Sequence, residues 1–202
     1  MKRIIAILMT AMMMLAVASC STAENTGSSD TNATESTTEK PQVNIASPVE
    51  LLNKVWESYA EADKFAAAGG DMTEANMNME GPGVYGLEDA EGFAATTQFP
   101  AASISKIDSA ATLVHMMNAN TFTGAAYHVV NADDMETLAT EVKDSVMSAQ
   151  WMCGFPEKLV IVTVGDYMVS YYGNGEIVDT FTTDLKTAYP EATVVVEEAI
   201  VA

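Results

Sequence analysis

Apolar positions along the chain recur with two periods, near 3.6 residues in some stretches and near two in others, and the alternation predicts the elements of the fold. Ser47-Pro48-Val49-Glu50 has the form of a capping box, with proline at the first helical position. Leu51, Leu52, Val55, Trp56 and Tyr59 then recur at helical spacing, which predicts a helix running to a stop at Gly69-Gly70. Patterning weakens over residues 71–109, where a short helix is expected near 87–95. Residues 110–118 (AATLVHMMN) and 122–130 (FTGAAYHVV) read as strands joined by a turn at Asn118-Ala119-Asn120-Thr121, with a helix over 107–117 as the competing reading of the first. Asn131 caps a helix over 132–150 whose apolar face is Met135, Leu138, Val142, Val146 and Ala149. Residues 158–164 (KLVIVTV) and 167–172 (YMVSYY) form a hairpin around Gly165-Asp166. After the break at Gly173-Asn174-Gly175, Ile177, Val178, Phe181, Leu185 and Ala188 mark a last helix, and 192–196 (ATVVV) a last strand.

From Phe122 on, the order is strand, helix, strand, strand, helix, strand. The pattern predicts an α+β fold: a ferredoxin-like βαββαβ antiparallel sheet with both helices on one face, plus an extra N-terminal helix and strand. Such a fold hosts many functions and names none.

The first 46 residues follow a different pattern. Lys2 and Arg3 precede the uncharged apolar run 4–15 (IIAILMTAMMML), the layout of a secretory signal. The run is too short to span a bilayer, which takes about 20 apolar residues. Two cuts are written into AVASC, residues 16–20. Ala16-Val17-Ala18 is an A-x-A site that would release a soluble chain at Ser19, while Val17-Ala18-Ser19-Cys20 resembles the lipobox of bacterial lipoproteins. The lipobox is preferred. It implies removal of residues 1–19, diacylglycerol on the Cys20 sulfur and a cell-membrane protein held by its lipid outside the cytoplasm. Two acyl chains suffice for stable anchoring. Residues 20–46, nearly all Ser, Thr, Asn, Glu and Gly after the cysteine, bury too little to offset ordering and read as a tether of about 28 Å, leaving 47–202 as one domain.

Charge narrows the partners. Removing residues 1–19 takes Lys2 and Arg3 from the nine basic residues and none of the 28 acids, so the formal charge becomes −21 and no arginine remains. Nucleic acid, which wants a basic stripe, is excluded as a partner, and direct contact with anionic headgroups is disfavoured. The expected contacts are the membrane through the N-terminal lipid and a small molecule, peptide or protein of unspecified kind.

No complete catalytic set stands out in the domain. Cys153, in WMCGFP, is a candidate nucleophile for a cysteine-dependent hydrolase if His115 or His128 approaches it. Its place after a helix C-terminus among Trp151, Phe155 and Pro156 instead suggests a buried, inert thiol. His115 and His128 lie on neighbouring strands that could bring them together across the hairpin, yet a zinc site needs three or four ligands, so no metal and no cofactor is expected. Tyr127, Tyr171, Tyr172 and Trp151 form a possible binding surface. The balance favours a non-enzymatic binding domain, the hydrolase being the alternative. A third reading has a sheet edge recruiting a partner strand.

The signal and lipobox ending in Cys20, the tether, and the strings VELLNKVWESYA, MMNANTF and GDYMVSYYGNGEIVDTF together resemble a family of small lipoproteins of anaerobic Gram-positive bacteria grouped under a domain of unknown function. The resemblance implies a lipid anchor and transfers no catalytic residue.

Overall fold

A computed structural model describes residues 44–71 and 73–201. The signal segment, the AVASC cut sites, Cys20 and the tether as far as residue 43 lie outside the described residues. The elements in chain order are α1 (Pro48–Ser58), β1 (Ala67–Ala68), β2 (Gly83–Tyr85), α2 (Ala90–Thr97), β3 (Ile107–His115), β4 (Phe122–Val129), α3 (Met135–Ser148), β5 (Lys158–Val164), β6 (Tyr167–Gly173), α4 (Gly175–Ala188) and β7 (Thr193–Ala199), with short 310 turns before β3 and α3. The fold class is α+β, and every strand pairing is antiparallel.

Caps set the helix starts as the sequence predicts. The Glu50 N–H donates to the Ser47 hydroxyl at 3.3 Å, and the Ala46 N–H donates back to the Glu50 carboxylate at 3.2 Å. Asn131 and Asn174 accept from backbone N–H groups two residues on, at 3.2 and 3.1 Å. The domain begins slightly earlier than expected, because Ile45 is buried and its carbonyl accepts from the Tyr167 hydroxyl at 3.0 Å.

Helix α1 stops at Ser58, well before Gly69-Gly70. Tyr59 turns extended, and its ring closes a cluster with Trp56 at 5.0 Å and Phe65 at 6.4 Å. Packing of three aromatic rings overrides the helix propensity of the residues that follow. The glycines serve instead to bring β1 and β2 against β3. A Cβ on Gly69 would lie 2.2 Å from the Thr112 carbonyl oxygen and 2.4 Å from the Gly83 nitrogen. Residues 110–115, open between strand and helix in the sequence, are strand, held between β4 on one side and β1 and β2 on the other.

The strand order is β1-β3-β4-β6-β5-β7, with β2 also on β3. That corrects the ferredoxin-like expectation. A ferredoxin-like sheet would place the last strand beside β4, but β3 occupies that position and β7 pairs with β5 at the opposite edge. Both crossovers, β4 to β5 and β6 to β7, therefore step in the same lateral direction from oppositely directed strands. Right-handed crossovers of that kind put their helices on opposite faces of the sheet. The core divides accordingly. Leu51, Leu52 and Val55 of α1 with Val178, Phe181 and Leu185 of α4 cover Val160, Val162, Val169 and Tyr171, while Phe93 of α2 and Leu138, Val142 and Val146 of α3 cover Tyr127, Leu159, Ile161 and Met168. Each such fully buried side chain contributes about 1.5–3 kcal/mol.

Candidate functional site

The loop after α3 and the turn between β3 and β4 meet at one end of the sheet. The Asn118 side chain donates to the Cys153 carbonyl at 3.1 Å, and the Asn120 side chain donates to the carbonyls of Met152 and Gly154 at 2.8 and 2.9 Å. This clasp holds Cys153 at φ 64 and Gly154 at φ 127. Cys153 is exposed, against the expectation of burial, because the clasp secures the loop by its carbonyls and leaves its side chains facing water. Met117 and Met152, each 79% exposed, and Phe155, 61% exposed, stand on the two clasped segments.

The histidines lie apart. Strand register sets His115 just beyond the Val114–Thr123 pair and His128 opposite Ser109, at the other end of the same two strands. His115 accepts from the Asn118 N–H through Nδ1 at 3.4 Å and stacks on Phe65 at 5.5 Å. His128 Nδ1 is 2.8 Å from the Asp108 carboxylate, and its ring packs on Tyr167 at 5.1 Å. Burial opposes ionisation of Asp108, but bonds from His128 and Ser109 outweigh it and hold that carboxyl below its usual range. Among the described residues no hydrogen bond joins the Cys153 thiol to either ring, and no three His, Cys, Asp or Glu side chains gather as metal ligands.

The expected tyrosine surface is interior. Tyr127, Tyr171 and Tyr172 are buried, because strands β4 and β6 are central and covered on both faces. The Tyr171 hydroxyl bonds Thr182 on α4 at 2.9 Å, Trp151 is half-buried against Tyr172 at 5.0 Å, and burial pushes the Tyr172 phenol up to about 12. The Tyr127 hydroxyl is buried beside Ser170 without a well-formed hydrogen bond.

A larger concave feature than the recess beside the Asn118 and Asn120 clasp lies elsewhere, between α3 and β7. It is a groove of about 1060 Å³. Met135, Ala139, Val195 and Val196 supply apolar lining, and Asp133, Glu136, Glu197 and Glu198 supply charge, with Lys143 as the one lysine. Lys143 lies 3.6 Å from Glu198, and Lys158 bridges Glu197 to Asp179 of α4 at 2.6 Å on each side. Asp133 and Glu136 make no ion pair among the described residues. Beside the groove, β7 pairs with β5 and with no other strand among the described residues, so its other side carries backbone donors and acceptors without a strand partner there. Sequence reasoning recognised β7 as a strand but not as the edge. A valine run followed by two glutamates was the available signal, and it carries no information on which neighbour the strand takes. No protein-family model matches the chain, and neither a curated protein nor a solved structure matches it.

Proposed function

We propose that this chain is an extracytoplasmic lipoprotein, of the family of small lipoproteins it resembles, whose folded domain binds a ligand or protein without catalysing a reaction. In this reading residues 1–19 are removed, Cys20 carries the lipid, and the polar segment after it tethers the domain, which keeps a charge of −21 clear of the headgroups. The observation that carries the binding half is the α3–β7 groove with its unpaired strand edge: a concave, half-apolar surface next to backbone groups ready to bond. The hydrolase alternative asks Cys153 to be activated by an imidazole, and the hydrogen bonds of His115 and His128 run to Asn118 and Asp108 instead.

One preparation tests both halves. Mass spectrometry of the chain recovered from membranes is expected to find an acylated N-terminal Cys20, and a thermal-shift screen of the same material against peptides, sugars and nucleotides is expected to find a binder that raises Tm equally in Cys153→Ser. An unmodified Ser19 terminus would remove the anchor. Turnover of ester or thioester substrates that vanishes in Cys153→Ser would replace the binding reading with the enzymatic one.

A further inference from the structure

The two edges of the sheet are finished differently. On the β3 side, β1 and β2 cover the edge with strands of two and three residues, and Gly69 and Gly83 let those strands approach closely enough to pair. Short covering strands are one of the ways proteins blunt an edge. The β7 side has seven residues, TVVVEEA, with neither proline nor the lysine that usually guards such a strand, and Val195 is 45% exposed. The register shift between Ile161 and Val162 leaves Val195 as the extra residue of a bulge, which twists the strand at one point. Among the described residues no strand covers this edge, and it is also the wall of the groove.

We propose that the occupant of the α3–β7 groove is an extended protein segment that adds to β7 as a further strand, with a lysine or arginine over Asp133 and Glu136. The inference rests on the reading of the groove as the binding site and names its partner. Main-chain bonds to β7 supply affinity, and alternate side chains of the added strand enter the groove toward Met135, Ala139 and Val196. Charge sets the preference. Glu197 and Glu198 already pair with Lys158 and Lys143, whereas Asp133 and Glu136, at the α3 start and lining the same groove as Thr193, pair with no cation among the described residues. A basic side chain there adds charge pairing to the hydrogen bond, which a neutral donor cannot supply and an acidic group opposes by repulsion.

The test uses the full chain with isotope labelling, in 150 mM salt so that the overall charge does not attract every basic peptide alike. Three seven-residue probes alternate valine with lysine, glutamate or serine, and a fourth is the lysine probe N-methylated at alternate positions, equal in charge but unable to complete a strand ladder. The lysine probe is expected to shift the amide resonances of residues 193–199 and 135–143, to bind at least tenfold more weakly when N-methylated, and to bind at least fivefold more weakly to Asp133→Asn/Glu136→Gln. Equal binding of the N-methylated probe overturns strand addition. Equal or tighter binding of the glutamate or serine probe in the groove overturns the basic partner and leaves the groove as the site. If none of the four probes shifts residues in β7 or α3, the reading of the groove falls along with its occupant. Amide dispersion of the double variant checks that it remains folded.

Discussion

At the scale of single residues, the most connected polar side chain is Asp71, in the loop between β1 and β2. Its carboxylate accepts from the Thr73 and Gly86 N–H groups at 2.9 and 3.0 Å and from the Asn76 side chain at 2.8 Å, with the Thr73 hydroxyl a further donor. The Thr73 and Asn76 side chains foremost hold this carboxyl far below the usual carboxylate range, overcoming the burial that opposes ionisation. A folded value below the unfolded one stabilises the fold at every pH above the unfolded value of about 3.9, and that stability is lost as pH falls through the folded value. Asp71→Asn is therefore expected to lower unfolding free energy by about 1–2 kcal/mol at pH 7, and the gap from the parent should close as the pH is taken below about 4. Urea unfolding at both pH values checks this; an equal gap at both would mean that the charge of Asp71 plays no part. Residue-scale features were the least legible in the sequence. Cys153 was expected to be buried because aromatic neighbours flank it, but its exposure depends on Asn118 and Asn120, more than 30 residues away. The tyrosines were candidates for a surface because nothing local distinguishes a central strand from one covered on a single face.

At the scale of elements, periodicity was a good guide wherever one face of an element meets the core. Leu138, Val142 and Val146 of α3 and Val178, Phe181 and Leu185 of α4 are buried at the spacing read from the sequence, and the β5–β6 hairpin turns at the expected Gly165-Asp166. Local pattern failed where a long-range contact decided the outcome. Strand β1 is two residues long, and β2 has no alternation to detect; both exist because β3 offers an edge and glycine permits the approach. Gly69→Ala places a methyl group against the Thr112 carbonyl, with backbone on every side, and is expected to cost about 2 kcal/mol or more by overpacking. Denaturant unfolding with amide spectra of residues 107–115 measures it. Unchanged stability and an undisturbed β3 would mean that the close approach of the three strands is dispensable.

At the scale of the whole molecule, lateral strand order was not legible in the chain. The order of elements from β4 to β7 is that of a ferredoxin-like fold, and only the edge taken by the last strand differs, yet that choice sends α3 and α4 to opposite faces and creates the groove. The hairpin partner β3 decides it by occupying the place beside β4. Position and charge together make β7 the surface most suited to a partner: among the described residues it is a long edge with no further strand on it, and it borders a groove in which Asp133 and Glu136, across from its first residues, make no ion pair. Residue-resolved hydrogen exchange on the full chain without any added ligand tests this claim most directly. Amides of β7 that face away from β5 are expected to exchange orders of magnitude faster than those of β4, β5 and β6, and β3 amides should be protected by β1 and β2 on one side and β4 on the other. Protection along the whole of β7 equal to that of β4 would contradict the account, because it would mean that the edge is already covered and unavailable to a partner.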